Sequence, residues 1–225
     1  MPILLIHFRK NFQYFQWRWV YMDKLVEMAN SLFAIAQNGL LFTKDAFDKE
    51  RYLQIQKIAA SILAEKSSFT FDKVIDLFNC EKGYATPKLD VRGAVFKGDK
   101  ILLVKERSDQ LWTLPGGWVD VNESPSEAVC KEIYEESGFK TKAIKLMALF
   151  DKNKHPHPIQ LPHTYKIFFI CELVGGEKKA SIETSEIEFF EKDKLPDLSL
   201  NRVVRPQIDR AFEHKQNMKL PTDFD

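Results

Sequence analysis

The chain has 225 residues, 44% hydrophobic and 29% charged, which suits a soluble globular protein of one large domain or two small ones. Its formal net charge of +1 gives no bulk electrostatic case for nucleic acid. Its three cysteines, Cys80, Cys130 and Cys171, form no CxxC pair, which argues against a zinc site or disulfide scaffold and for reduced packing thiols in a cytoplasmic protein.

Residues 1–22 read as an extension. The apolar run PILLIHF (2–8) is too short to span a bilayer, and Arg9 and Lys10 follow it rather than precede it, so neither a membrane span nor a secretory signal is expected. Arg9, Lys10 and Arg18 sit among Trp17, Trp19 and Tyr21 with no acid. Two readings stand: a frayed extension with Met22 opening the compact protein, or an arm that contacts RNA.

From 23 to 80 the periodicity predicts a small all-α domain. The first helix would bury Leu25, Met28, Ala29, Leu32 and Ile35. Asp45 would cap a second, with Phe47, Tyr52, Ile55, Ile58, Ala59 and Ile62 on its stripe. Thr70 would cap a third, with Val74, Ile75 and Phe78 apolar. Such stripes must be covered, either by the rest of the chain or by a second copy, so a homodimer through this domain is expected.

EKGYATPK (81–88) is a linker by composition. LDVRGAVF (89–96), a GDK turn and ILLVKE (101–106) read as a hairpin. KAIKLMALFD (142–151), YKIFFICELV (165–174) and EIEFF (186–190) are further strands, and a helix over 201–215 closes the unit before a tail at 217–225. Strands on both sides of a central helix make 89–216 an α/β layered domain.

That central helix carries the chemistry. Ser124 is a good N-cap, Pro125 fits the first turn, Glu127 completes a capping box and Gly138 suits the C-terminal end. At about 100° per residue from Ala128, Glu132 falls near 40°, Glu136 near 80° and Glu135 near 340°. Three carboxylates therefore share a face, and Lys131, at about 300°, is the one nearby base. Like charges at these spacings repel, so either the face is merely solvated or a hard divalent cation sits on it. Gly116 and Gly117 just upstream allow close backbone approach to a ligand.

The spacing settles on a resemblance: Gly117, then Glu123, then Lys131-Glu132-Ile133, Glu135-Glu136 and Gly138-Phe139, spanning 23 residues. This is similar to the Nudix box of the Nudix hydrolases, with Lys131 where the family usually has arginine. The resemblance implies a Nudix-type α/β/α sandwich with a mixed sheet, and an N-terminal helical part like that of a bacterial subgroup acting on ADP-ribose or CDP-choline. It implies Mg²⁺ (Mn²⁺ as a substitute) held by Glu132, Glu135, Glu136 and the Gly116 carbonyl, with Gly117, Glu123, Lys131 and Gly138 as structural box positions. A lysine lacks the bidentate fork of arginine, so Glu123 is expected to be held less firmly.

A general base comes from the box or from Glu183 or Glu186, whose alternative is a solvated turn. Substrate-facing candidates are Lys105 and Arg107, Trp112 before the glycine turn, His157 in the loop DKNKHPHPIQLPH (151–163), and Tyr165. In that loop His155, His157 and His163 have no standard metal spacing, so Pro156 and its neighbours read as a substrate-facing segment. The favoured activity is cleavage of a nucleoside diphosphate linked to another group, releasing a nucleoside monophosphate. The alternatives are a hydrolase of RNA ends and a nucleotide-sensing regulator, the latter weakened because all the box carboxylates are present.

Overall fold

The structure, a computed structural model, describes residues 24–225. The segment 1–22, with the readings of Met22 as a start and of a basic RNA-binding arm, lies outside the described residues.

Three helices come first: α1 (Lys24–Phe42), α2 (Ala46–Lys66) and α3 (Phe71–Cys80). Asp45 and Thr70 cap the second and third, their side chains accepting from the backbone N–H of Asp48 and Lys73. The buried stripe of α1 differs from the predicted one. Val26, Ala29 and Ala36 are buried, whereas Met28 and Ile35 are 51% and 57% exposed. α1 is apolar on both faces, so periodicity could not choose between them. The small alanines allow close approach of its neighbours, and Phe33 stacks on Phe78 of α3 with ring centroids 3.6 Å apart. In α2, Ala59, Ala60 and Leu63 are buried, while Phe47 and Ile58 of the predicted stripe are exposed. By length and composition alone α1 would pass as a membrane span; its inner face instead packs on α2 and α3.

The remaining strands are β1 (Lys88–Lys97), β2 (Lys100–Glu106), β3 (Trp112–Thr113), β4 (Phe139–Asp151), β5 (Thr164–Gly176), β6 (Thr184–Glu191) and β7 (Asp223–Phe224). They form a mixed sheet in the order β3-β2-β1-β5-β4-β7, with β6 paired to β2. β1 and β5 run parallel at its centre, from Lys88↔Thr164 to Val95↔Cys171. Helix α4 (Pro125–Ser137) covers one face and α5 (Arg205–Gln216) the other. Side chains alternate accordingly. Val91, Val95, Leu102, Val104, Ile167 and Phe169 meet Val129 and Ile133 of α4. Ala94, Ile101, Leu103, Phe168 and Ile170 meet Ile208 and Phe212 of α5. Cover on both faces is why these strands read as nearly continuous apolar runs. The fold is the α/β/α sandwich with a preceding helical unit.

Two residues of the segment 217–225, expected as a tail, join the sheet. β7 pairs in parallel with β4 through Ala148↔Asp223 and Leu149↔Phe224. Arg210 of α5 donates to both oxygens of Asp223 at 2.8 and 2.7 Å. The helical unit is seated on the sandwich. Ile159 and Leu161 of the loop after β4 pack into its core of Val26, Ala59, Leu63 and Phe78, and Gln37 donates to the Gly83 carbonyl at 2.9 Å.

Candidate active site

Helix α4 starts and stops where its capping residues dictate. Ser124 Oγ accepts from Glu127 N, the Glu127 carboxylate accepts from Ser124 N, and Gly138 ends the helix at φ 77°. Glu127 is thus a cap, and its hydrogen bonds from Ser124 hold its carboxyl below the usual range.

The same helix directs Glu132, Glu135 and Glu136 into one open cavity of about 1410 Å³, whose wall also includes Gly116 and Gly117. Glu136 is buried and its Oε2 accepts from Gly116 N at 2.9 Å, tying the helix to the glycine turn. Gly116 is sterically required, and Gly117 leaves Glu132 its place. A Cβ on Gly116, at φ 145°, would lie 2.0 Å from the Val91 carbonyl, and one on Gly117 would lie 2.8 Å from Glu132 Oε2. The carbonyls of Pro115 and Gly117 accept from Gly93 and Val91 of β1. The Gly116 carbonyl between them takes no hydrogen bond among the described residues, which leaves it available as a ligand.

Burial and mutual repulsion raise the carboxyls of the site. Burial, then repulsion from Glu135, pushes the Glu132 carboxyl up to about 7. Burial pushes Glu136 up to about 8, against the pull of Arg92 and the Gly116 amide. Among the described residues no group of three or more His, Cys, Asp or Glu side chains is closed into a metal cage. Repelling carboxylates do not close on one another without a cation, and Mg²⁺ typically takes one or two carboxylates plus waters and substrate phosphate. The all-oxygen donor set, the uncommitted Gly116 carbonyl and the raised carboxyls therefore fit a hard divalent ion.

Lys131 holds Glu123 better than its shape suggested. Its Nζ lies 2.9 and 3.1 Å from the two Glu123 oxygens and 2.9 Å from Asp120. One ammonium can point separate protons at several oxygens, so Lys131 reaches both Glu123 oxygens without an arginine fork.

The cavity also has a basic wall, and sequence reading missed it. Asp90 lies on β1 and is buried, accepting from Arg92 at 3.0 and 2.7 Å and from Lys166 of β5 at 2.6 Å. Burial would raise the Asp90 carboxyl, but the two cations outweigh it and hold it down to about 2. Glu106, at the end of β2, is held 3.0 Å from Arg202. Lys152 completes this wall. The signal was present: Asp90 and Arg92 alternate inside an apolar strand, and Lys166 interrupts another. Charges in strands covered on both faces must be paired, so their partners had to be sought in each other.

The predicted substrate contacts divide. Arg107 lines the cavity, its side chain donating to Ser181 O at 3.3 Å. Glu183 also lines it, whereas Glu186 lies outside the lining with its carboxylate 2.8 Å from Lys105 Nζ. That places Lys105 and Glu186 together on the strand pair β2–β6 and away from the site. Trp112 packs edge-on against Phe190 in the core, because β3 points it toward α5. His157 Nδ1 lies 2.6 Å from Leu200 O and Nε2 lies 3.0 Å from the Gln207 side chain. Burial lowers its pKa to about 3, so it is a neutral strut joining loop to helix. Tyr165 is on the outer face of β5 against His163.

Comparison with known proteins accords with this geometry. Residues 86–211 match the NUDIX domain family, and residues 23–78 match a family described as a UDP-X-like, N-terminal oligomerisation domain. YjhB of Bacillus subtilis (strain 168), which carries the provisional name ADP-ribose pyrophosphatase, is 45% identical over 90% of this chain and 97% of its own length. A solved UDP-X diphosphatase superposes with a TM-score of 0.59 at 35% identity, covering 90% of this chain and 98% of its own. An ADP-ribose pyrophosphatase from Streptococcus suis 89-1591 gives 0.57 at 42% identity, covering 62% of this chain and all 100% of its own. With the box helix, its glycine turn and the covered sheet in place, the chain belongs to the Nudix hydrolases and is a pyrophosphohydrolase with an N-terminal helical module.

Proposed function

We propose that the protein hydrolyses a nucleoside diphosphate linked to a second moiety, with Mg²⁺ as the resident ion, Mn²⁺ as a substitute, and ADP-ribose ahead of CDP-choline as substrate. The observation that carries this reading is a cavity whose lining combines Glu132, Glu135, Glu136 and Gly116 with the cations Arg92, Lys152, Lys166 and Arg202. The names of the relatives favour ADP-ribose over CDP-choline. The α4 carboxylates and Gly116 would hold the divalent ion, which when bound offsets diphosphate charge and lowers the pKa of a water. Glu183 lines the cavity, which supports it over Glu186, engaged with Lys105, as the group that takes the proton of the attacking water. The attacking oxygen forms a bond to one phosphorus as the P–O–P bridge breaks, leaving a nucleoside monophosphate and a phosphorylated second product.

A panel of ADP-ribose, CDP-choline, UDP-sugars and a short 5′-triphosphorylated RNA, read by the phosphate species released, tests the substrate class. The expected result is preferential turnover of ADP-ribose to AMP. Turnover of the RNA alone would overturn it.

The same reading includes a homodimer through α1 and α2. Their outer faces expose Met28, Ile35, Leu41, Phe42, Phe47 and Ile58, and apolar groups exposed in number on one small module suit a protein–protein contact. The matched module is described as an oligomerisation domain. Light scattering should give twice the chain mass, and Ile35→Asp should shift the protein toward monomer. A monomeric wild type would rule the dimer out.

A further inference from the structure

The cavity lining includes three buried cations: Arg92, Lys152 and Lys166, at 4%, 5% and 2% exposure. Arg92 and Lys166 share Asp90. Arg202, beside them, has Glu106 and Asp109. Lys152 is different. It opens the 3-10 turn Lys152–Lys154 after β4, its Nζ donates to the Gln160 side-chain oxygen, and among the described residues no carboxylate lies within ion-pair distance. Gln160 is neutral and takes one of the three ammonium protons, so in the protonated form two donors remain and the charge is offset only by the longer-range pull of Asp90.

A desolvated ammonium without a counter-ion is costly. Burial, followed by the nearby Lys166, pulls the Lys152 ammonium down to about 7. An anionic ligand would remove that cost, because it would supply the missing counter-charge. Arg107 and Lys179 also line the cavity, but both are exposed and already solvated.

The residues that carry Lys152 are fixed. Ile159 and Leu161, flanking Gln160, pack into the core of the helical unit. His157 ties the same loop to Leu200 and Gln207. Gln160 is therefore held on both sides, and it holds Lys152. Such support holds a binding group ready for its ligand.

We propose that Lys152, oriented by Gln160, is a further substrate-binding residue that takes an anionic phosphate oxygen of the diphosphate in the cavity that Glu132, Glu135 and Glu136 also line. The proposal rests on the diphosphate reading of the cavity. It assigns the two walls separate tasks. The carboxylates hold positive ions, and Lys152, protonated when the anion binds, supplies a positive charge to the diphosphate. A charge met equally by ground state and transition state acts on KM more than on kcat. It also gives the helical unit a part in the site, since that unit anchors the loop bearing Gln160.

The test titrates inorganic diphosphate calorimetrically into the metal-free full-length protein with a chelator present, for wild type, Lys152→Met and Lys152→Arg. Lys152→Met should weaken binding by about tenfold or more, the loss expected for one charge-assisted hydrogen bond, and Lys152→Arg should recover part of it. The methionine variant removes a buried charge, so its thermal midpoint should equal or exceed that of wild type, which separates a binding loss from misfolding. With ADP-ribose and Mg²⁺, KM should rise by a similar factor while kcat stays within about threefold. Diphosphate binding within twofold of wild type in Lys152→Met, or no diphosphate binding by wild type, would overturn the proposal. If diphosphate binding depends on Lys152 but no nucleoside diphosphate derivative is hydrolysed, the anion site stands and the substrate reading falls. If ADP-ribose is hydrolysed with unchanged KM in Lys152→Met, the substrate reading stands and the anion site falls.

Discussion

Replacing Glu136 by glutamine should cost at least about 100-fold in kcat, the scale seen when one preorganised charge-stabilising group is removed from an active site. The same change should stabilise the metal-free fold at alkaline pH. Glu136 is buried, and its carboxyl is raised to about 8 by that burial. The folded state therefore binds this proton more tightly than the unfolded chain does. The sign follows: stability falls as pH rises from about 4.5 to about 8, where the folded protein must bear a buried carboxylate. Glutamine stays neutral, and its carbonyl can still accept from Gly116 N. At pH 8.5, without metal, Glu136→Gln should melt about 5 °C higher than wild type, for a gain of about 2 kcal/mol. The gap should close near pH 5, where wild-type Glu136 is protonated. Adding the divalent ion should stabilise wild type more than the variant. A variant that loses neither turnover nor this metal-dependent stabilisation would remove Glu136 from the site.

The second large effect is structural. Asp90→Asn should destabilise the fold by about 3–5 kcal/mol, because it leaves Arg92 and Lys166 buried beside each other without their shared carboxylate. For a chain of this size that is a fall in melting temperature of about 6–20 °C. Arg92 also donates to the Leu114 carbonyl at 3.2 Å, just before the glycine turn, so its displacement would disturb the turn that carries Gly116. The pH signature has the opposite sense to that of Glu136. Asp90 is held down to about 2, so its contribution is present above about pH 4 and lost as pH falls toward 2. Wild type should show this acid-side loss and Asp90→Asn should not. Equal melting temperatures for the two proteins at pH 7 would show that the buried triad does not hold this face together.

What could be read from the sequence follows from where local signals are strong. Helix α4 was legible to the residue because Ser124, Pro125, Glu127 and Gly138 each mark a terminus by their own backbone chemistry. The central strands were legible because cover on both faces makes them continuously apolar. The face of α1 was not legible, since Met28 and Ile35 are as apolar as Val26 and Ala29, and only the tertiary partners decide between them. β7 was hidden because Asp223 and Phe224 pair with a strand more than seventy residues away in sequence, through Ala148 and Leu149. The acidic half of the site came from one helix, where spacing sets a shared face. The basic half is assembled from β1, β5, the turn after β4 and the segment before α5, and no single window of sequence contains it. Trp112 and His157 were chosen for chemistry that suits a ligand, but core packing and the Leu200–Gln207 strut already employ them.

The most direct measurement is ADP-ribose hydrolysis by the metal-free full-length protein as Mg²⁺ is added back, with AMP release followed in wild type and in Glu132→Gln. Carboxylates that need a cation predict no AMP without metal, saturable AMP release with Mg²⁺, and a rate at least about 100-fold lower in Glu132→Gln. AMP release that persists in excess chelator, or that is equal in the two proteins at saturating Mg²⁺, would contradict the assignment of the α4 carboxylates as the metal-holding wall.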